Sequence, residues 1–85
     1  MELHPTPRYL HRLGRMPVRI QELAEDKLAL MVADPRHPSL HLKLVKGARG
    51  IWEMRVTISY RILLRFEGDV ANLLTIGSHD IIDRF

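Results

Sequence analysis

The hydrophobic period of this chain changes once, near residue 40, and that change decides what it can fold into. Before it, apolar residues recur at helical spacing: Tyr9, Leu10 and Leu13, then Ile20, Leu23, Ala24, Leu28 and Met31. After it they alternate. Leu40, Leu42 and Leu44 are separated by His41 and Lys43. Trp52, Met54, Val56 and Ile58 are separated by Glu53, Arg55 and Thr57, and Tyr60, Ile62, Leu64 and Phe66 follow the same rule. A helix repeats about every 3.6 residues and a strand about every two. A helical half followed by a strand-like half predicts an α+β fold.

Local signals set the boundaries. Thr6 before Pro7 is a helix start, because threonine caps free amides and proline suits the first helical position. Gly14 is a natural stop. Pro17 opens a second helix, which should end near Ala33, since the residue before Pro35 is disfavoured in helix. The short connection between the two implies an antiparallel helix pair. Asp34–Ser39 reads as loop. Lys46-Gly47-Ala48-Arg49-Gly50 is a basic, glycine-bracketed turn, and Gly68-Asp69 a tight hairpin turn. Val70–Ile76, apolar on both faces apart from Asn72 and Thr75, fits a central strand. Glu2–Pro5 adds a short strand at the start.

The expected architecture is one domain over residues 1–85, an antiparallel helix pair packed on one face of a three- to four-stranded antiparallel sheet, in the order β-α-α-β-β-β. The helix pair should cover the face carrying Trp52, Met54, Val56, Ile62, Leu64 and Phe66. The other face then carries Glu53, Arg55, Arg61 and Arg65.

A chain of 85 residues buries only about 60% of its unfolded surface, so chemistry belongs on an open face. With no cysteine, disulfide frameworks, thiolate catalysis and zinc ribbons are excluded. No metal-ligand spacing such as HExxH occurs, and neither metal nor cofactor is expected. The longest apolar run, Leu28–Ala33, is too short to span a membrane. Met1–Pro5 lacks the charged-then-apolar pattern of an export signal, so a cytoplasmic location is expected.

Three groups of residues could carry chemistry. Ten of the thirteen basic residues are arginine, whose planar fork of donors suits phosphate. Arg55 and Arg61, on strands joined by a short connection, can converge within one phosphate's width. The alternative for this face is solvation, with Glu53 pairing Arg55 or Arg61 across the strands. Gly77-Ser78-His79-Asp80 places a histidine just past a strand end, where it suits general acid–base work. Arg8, Arg12, Arg15 and Arg19 form a basic ridge on the helices, either a solvated face or a docking surface for an acidic partner.

The segments Asp34–Leu40 and Lys43–Gly47, then Trp52-Glu53-Met54-Arg55-Val56, Ser59-Tyr60-Arg61-Ile62-Leu63-Leu64 and Ile76-Gly77-Ser78-His79-Asp80 resemble, in order and spacing, the RelE/ParE superfamily of toxins. The resemblance covers nearly the whole chain. It implies a bacterial or archaeal type II toxin paired with a small antitoxin. RelE-like members cut mRNA in the ribosomal A site; ParE-like members inhibit DNA gyrase. In the nuclease branch the arginine after the hairpin tyrosine holds the scissile phosphate, which here is Arg61. Arg55 matches an assisting basic position, and His79 a histidine after the last strand's glycine. Arg65, Lys43, Lys46 and Phe85 are the further RNA contacts expected, Phe85 by stacking on a base. Glu53 stands where the best-known member has a basic residue, and Phe85 where it has a tyrosine.

The expected activity is therefore a ribosome-dependent endoribonuclease, in which the RNA 2′-hydroxyl attacks its own 3′-phosphate. Arg61 and Arg55 would stabilise the extra phosphate charge and His79 would move a proton. The expected partners are an antitoxin and the ribosome with mRNA in the A site. The alternative is a ParE-like gyrase inhibitor, or a degenerate toxin acting only by binding its antitoxin; Glu53 and Phe85 favour it.

Overall fold

The structure, a computed structural model, describes residues 1–80; Phe85 lies outside them. Thr6 caps the first helix, α1 (Pro7–Gly14), by accepting a hydrogen bond from the Tyr9 amide at 3.2 Å. Its hydroxyl also donates to Leu73 O at 2.7 Å, tying the helix start to the sheet. Gly14 ends α1 without a left-handed turn: the Arg15 and Met16 amides instead reach back three residues to Arg12 O and Leu13 O. Helix α2 (Val18–Ala33) begins after Pro17 and stops before Asp34-Pro35, where the chain becomes extended.

The sheet has five strands, one more than the largest number expected. They are β1 (Glu2–Pro5), β2 (Lys43–Leu44), β3 (Trp52–Arg55), β4 (Tyr60–Glu67) and β5 (Val70–Ser78), in the spatial order β1-β5-β4-β3-β2. All pairings are antiparallel except β1 with β5, which is parallel. The smallest of them is the two-residue β2. The alternation from Leu40 to Leu44 predicts a longer strand, but Leu40 belongs to a 3-10 turn (Pro38–Leu40) and His41 is left-handed, at φ 45° and ψ 42°. That residue breaks the extended run, and only Lys43 and Leu44 reach β3.

β3 is also shorter than the alternation implies. It ends at Arg55, and Thr57–Ser59 form a turn in which the Thr57 hydroxyl accepts from the Ser59 and Tyr60 amides. Ile58 is consequently 78% exposed at the turn tip and is not a strand residue. The β4–β5 hairpin turns on Gly68 at φ 58°, a positive angle that glycine adopts without steric cost.

Tyr9, Ala24, Leu28 and Met31 of the helices pack on Met54, Val56, Ile62, Leu64, Ala71, Leu73 and Ile76, with Trp52 and Phe66 at the margin. The helix pair thus covers the expected face. β5 reaches this core by a bulge. Leu64 faces Leu73 and Leu63 faces Thr75, so Leu74 is an extra residue. A one-residue insertion flips the side of every residue beyond it. Ala71 and Leu73 point into the core before it, and Ile76 after it. The face away from the helices carries, in register, His4–Asn72–Arg65, Lys43–Glu53–Leu63–Thr75 and Arg55–Arg61–Gly77, with Glu53, Leu63 and Thr75 buried at its centre.

Candidate functional site

Arg55 and Arg61 are direct cross-strand partners on β3 and β4, and Gly77 of β5 sits beside Arg61. Both arginines are half-buried. Strand register brings them together, as the alternation required. Their guanidinium groups are held differently. Arg61 Nη1 donates to Thr57 O at 2.6 Å, Ile58 O at 2.8 Å and Tyr60 O at 3.2 Å. The side chain closes the turn that follows β3. Arg55 Nε is buried without a hydrogen-bond partner.

His79 joins this group from the end of β5. Its amide donates to Ser59 O at 2.9 Å, extending the β4–β5 ladder by one step and fixing it beside the same turn. Its side chain is 63% exposed, and Nε2 lies 3.3 Å from Asp80 Oδ1. A neighbour in sequence does reach the imidazole, and the carboxylate can orient it.

The remaining expected RNA contacts divide. Lys43 is at the site, with Nζ 3.3 Å from Glu53 Oε1. Lys46 is exposed in the loop before β3, at the other end of that strand from Arg55, about 10 Å along it. Arg65 is exposed on the correct face, but four positions along β4 from Arg61. It sits beside a polar chain in which His4 Nδ1 meets Asn72 Oδ1 at 2.8 Å and Asn72 Nδ2 donates to Glu67 Oε1 at 2.9 Å. Phe85 is outside the described residues.

Glu53 does not pair with either arginine by hydrogen bond, as the solvated alternative required. It is 5% exposed, and its Oε2 is buried with no partner. Glu53, Arg55, Arg61, Lys43, Leu42 and His41 line a pocket of about 210 Å³. Sequence reasoning assigned His41 no role. The backbone puts it there: histidine tolerates the left-handed region better than most residues, and the twist carries it over the pocket. Its only sequence sign is its place ahead of β2.

Among the described residues no group of three His, Asp or Glu gathers as metal ligands. None of the described helices is long and apolar enough to cross a membrane. A second, larger concavity of about 660 Å³ lies between α1, α2 and β1, lined by Leu3, Tyr9, Leu10, Leu13, Val18 and Leu28 among others.

No family model matches this sequence. A search of curated proteins likewise finds no match. Solved structures do match in shape. The YoeB/ParE toxin from Agrobacterium tumefaciens is 21% identical and superposes with a TM-score of 0.75, over 93% of this chain and 99% of that one. The toxin structure of the RelB-RelE antitoxin-toxin complex from Methanococcus jannaschii is 19% identical, with a TM-score of 0.73 over 96% and 98%. YafQ from E. coli, at 8% identity, still gives 0.77 over 95% and 96%. Each of the three superposes over more than nine-tenths of both chains, and the chain has the fold of the RelE/ParE toxins.

Proposed function

We propose that the chain is the toxin of a type II toxin–antitoxin pair and acts as a ribosome-dependent mRNA endonuclease. The observation that carries this reading is the Arg55–Arg61 cross-strand pair on the sheet face the helices leave open, with His79 anchored at the adjoining turn. Arginines that are cross-strand partners can turn two guanidinium groups toward a phosphate gaining charge, and donors set in advance at developing charge are often the largest single catalytic effect. His79, exposed and oriented by Asp80, moves a proton, to or from the RNA 2′-hydroxyl or the leaving 5′-oxygen. The site lies on a sheet face and not in a closed cleft, so the ribosome supplies most of the positioning of a flexible single strand.

An antitoxin is the proposed partner. Several proteins of this fold were solved as toxin–antitoxin complexes. Here the groove between the helices and β1 exposes Leu10 and Val18. Arg15 and Arg19 are exposed near it. The charged residues lining the groove are Glu22 and Glu25, so an apolar segment fits the groove while acidic residues flanking it meet Arg15 and Arg19 outside.

Two observations favour the second reading, a gyrase inhibitor or a toxin acting by binding alone. Arg61 Nη1 is occupied by three carbonyls, and Glu53 lowers the positive potential nearby. The experiment is primer extension on an mRNA translated with purified protein, run beside a gyrase supercoiling assay. Cleavage that depends on ribosomes and is lost in Arg55→Ala and His79→Ala supports the nuclease. Inhibited supercoiling with intact mRNA transfers the case to the second reading.

A further inference from the structure

The pocket bounded by His41, Lys43, Glu53, Arg55 and Arg61 contains two polar atoms without partners. Glu53 Oε2 and Arg55 Nε are both buried and unbonded. Lys43 reaches only the other carboxylate oxygen, at 3.3 Å, and its own side chain is 70% exposed. An ion pair with one solvated member contributes little, while a buried unpaired acceptor carries a desolvation cost. The strand neighbour of Glu53 is Leu63, fully buried. An apolar residue would suit this position better for stability alone. The carboxylate therefore points to a ligand that completes it.

The surroundings restrict that ligand. Lys43, Arg55 and Arg61 are cationic and Glu53 is the single anion among the lining residues. A bare phosphate meets the arginines but is repelled by Glu53. A cationic peptide meets Glu53 but is repelled by the arginines. A nucleotide satisfies both, with its phosphate on the arginines and a base N–H on the carboxylate. At about 210 Å³ the pocket falls below the roughly 300–1,000 Å³ of sites that hold whole drug-sized ligands, so it takes a base edge and leaves the phosphate outside.

We propose that Glu53, with Arg55, recognises the amine-bearing edge of one nucleobase near the scissile phosphate. This deepens the nuclease reading and rests on it. Adenine, cytosine and guanine each carry an exocyclic amine that donates to a carboxylate; glutamate paired with the cytosine amine is one such contact. Uracil carries none. Its single edge donor, N3–H, lies between two carbonyl oxygens that a carboxylate repels. The site thus selects against uracil at one position. Lys43, the exposed outer wall, is the side chain that moves aside.

Primer extension on translated transcripts carrying each base at every position around the cut tests this. Wild type should disfavour uracil at one fixed position by about tenfold, and Glu53→Gln, whose amide both donates and accepts, should bring that ratio close to one. In parallel, the labelled protein is titrated with cytidine and uridine monophosphates and followed by NMR. Cytidine monophosphate should shift the Arg55 Nε–H signal, uridine monophosphate should not, and Glu53→Gln should erase the difference. Wild-type cleavage indifferent to uracil overturns the recognition site while leaving the nuclease intact. Absent cleavage with a cytidine-selective shift supports the site and fails the nuclease. A shift produced by a short arginine-rich peptide and by neither nucleotide overturns the proposal in favour of a protein partner.

Discussion

Arg55 and Arg61 face one another across β3 and β4 as like charges, and they act on stability with opposite signs. Arg61 secures three turn carbonyls, whereas Arg55 leaves a buried Nε unbonded. Like charges directly opposite are destabilising. Arg55→Met should therefore leave Tm unchanged or raise it. Arg61→Ala should cost about 1–2 kcal/mol, lowering Tm by roughly 5–15 °C for a domain of this size. Thermal melting measures both. If the two variants melt alike, the turn-closing role of Arg61 is wrong. Under the proposed function each should also lower cleavage by about 10²–10³.

The Lys43–Glu53 pair gives a second expectation. Removing the lysine leaves a buried carboxylate with no cation on either oxygen. Lys43→Ala should destabilise by about 1 kcal/mol, discounted because Lys43 is largely solvated. Adding Glu53→Leu should restore or exceed the original stability, because the unpaired buried acceptor goes with it. Chemical denaturation of the single and double variants decides, and a double variant weaker than Lys43→Ala alone would contradict the account.

Burial pushes the Tyr9 hydroxyl up from 10.0 to about 12. The folded state thus holds its proton more tightly than the unfolded chain. The stability linked to it is fully present below pH 10 and lost as pH rises through about 12. Tyr9→Phe should flatten the alkaline limb of the stability–pH curve. Absorbance titration should show one tyrosine ionising late and only with unfolding. Tyr9 ionising near pH 10 in the folded protein would refute the assignment.

Thr6 serves two elements at once, the α1 amides through the Tyr9 N–H and β5 through Leu73 O. Thr6→Ala should cost about 1–2 kcal/mol, and Thr6→Ser, which keeps the hydroxyl, much less. Equal losses in urea unfolding would mean the methyl group, not the hydroxyl, carries the effect.

The helix limits were legible because their causes are local: Thr6 and Pro7 at one end, Asp34-Pro35 at the other. The covered face was legible because Met54, Ile62 and Leu64 keep strict alternation. What escaped depends on tertiary geometry. The β5 bulge at Leu74 is set by pairing with β4, and a run apolar on both faces does not display it. The left-handed His41, which truncates β2, has no turn residue to announce it. The site's outline followed from the register of Arg55 and Arg61. Its interior did not, because Glu53 alternates like a surface residue yet is enclosed. Its burial depends on what packs around it and not on its neighbours in sequence.

The parallel pairing of β1 with β5 joins residues that lie far apart in the chain: His4 and Asn72, in hydrogen bond, are 68 positions apart. The first of the described strands thus pairs with the last of them. Until Val70–Leu73 are available, Glu2–Pro5 has no edge to join, α1 lacks its anchor at Leu73 O, and Arg61 lacks the strand that carries Gly77 and His79. Contacts of such long range make folding slower than local ones do. Arg55 and Arg61 pair locally across β3 and β4, whereas His79 reaches the same turn only once β5 has paired with β4.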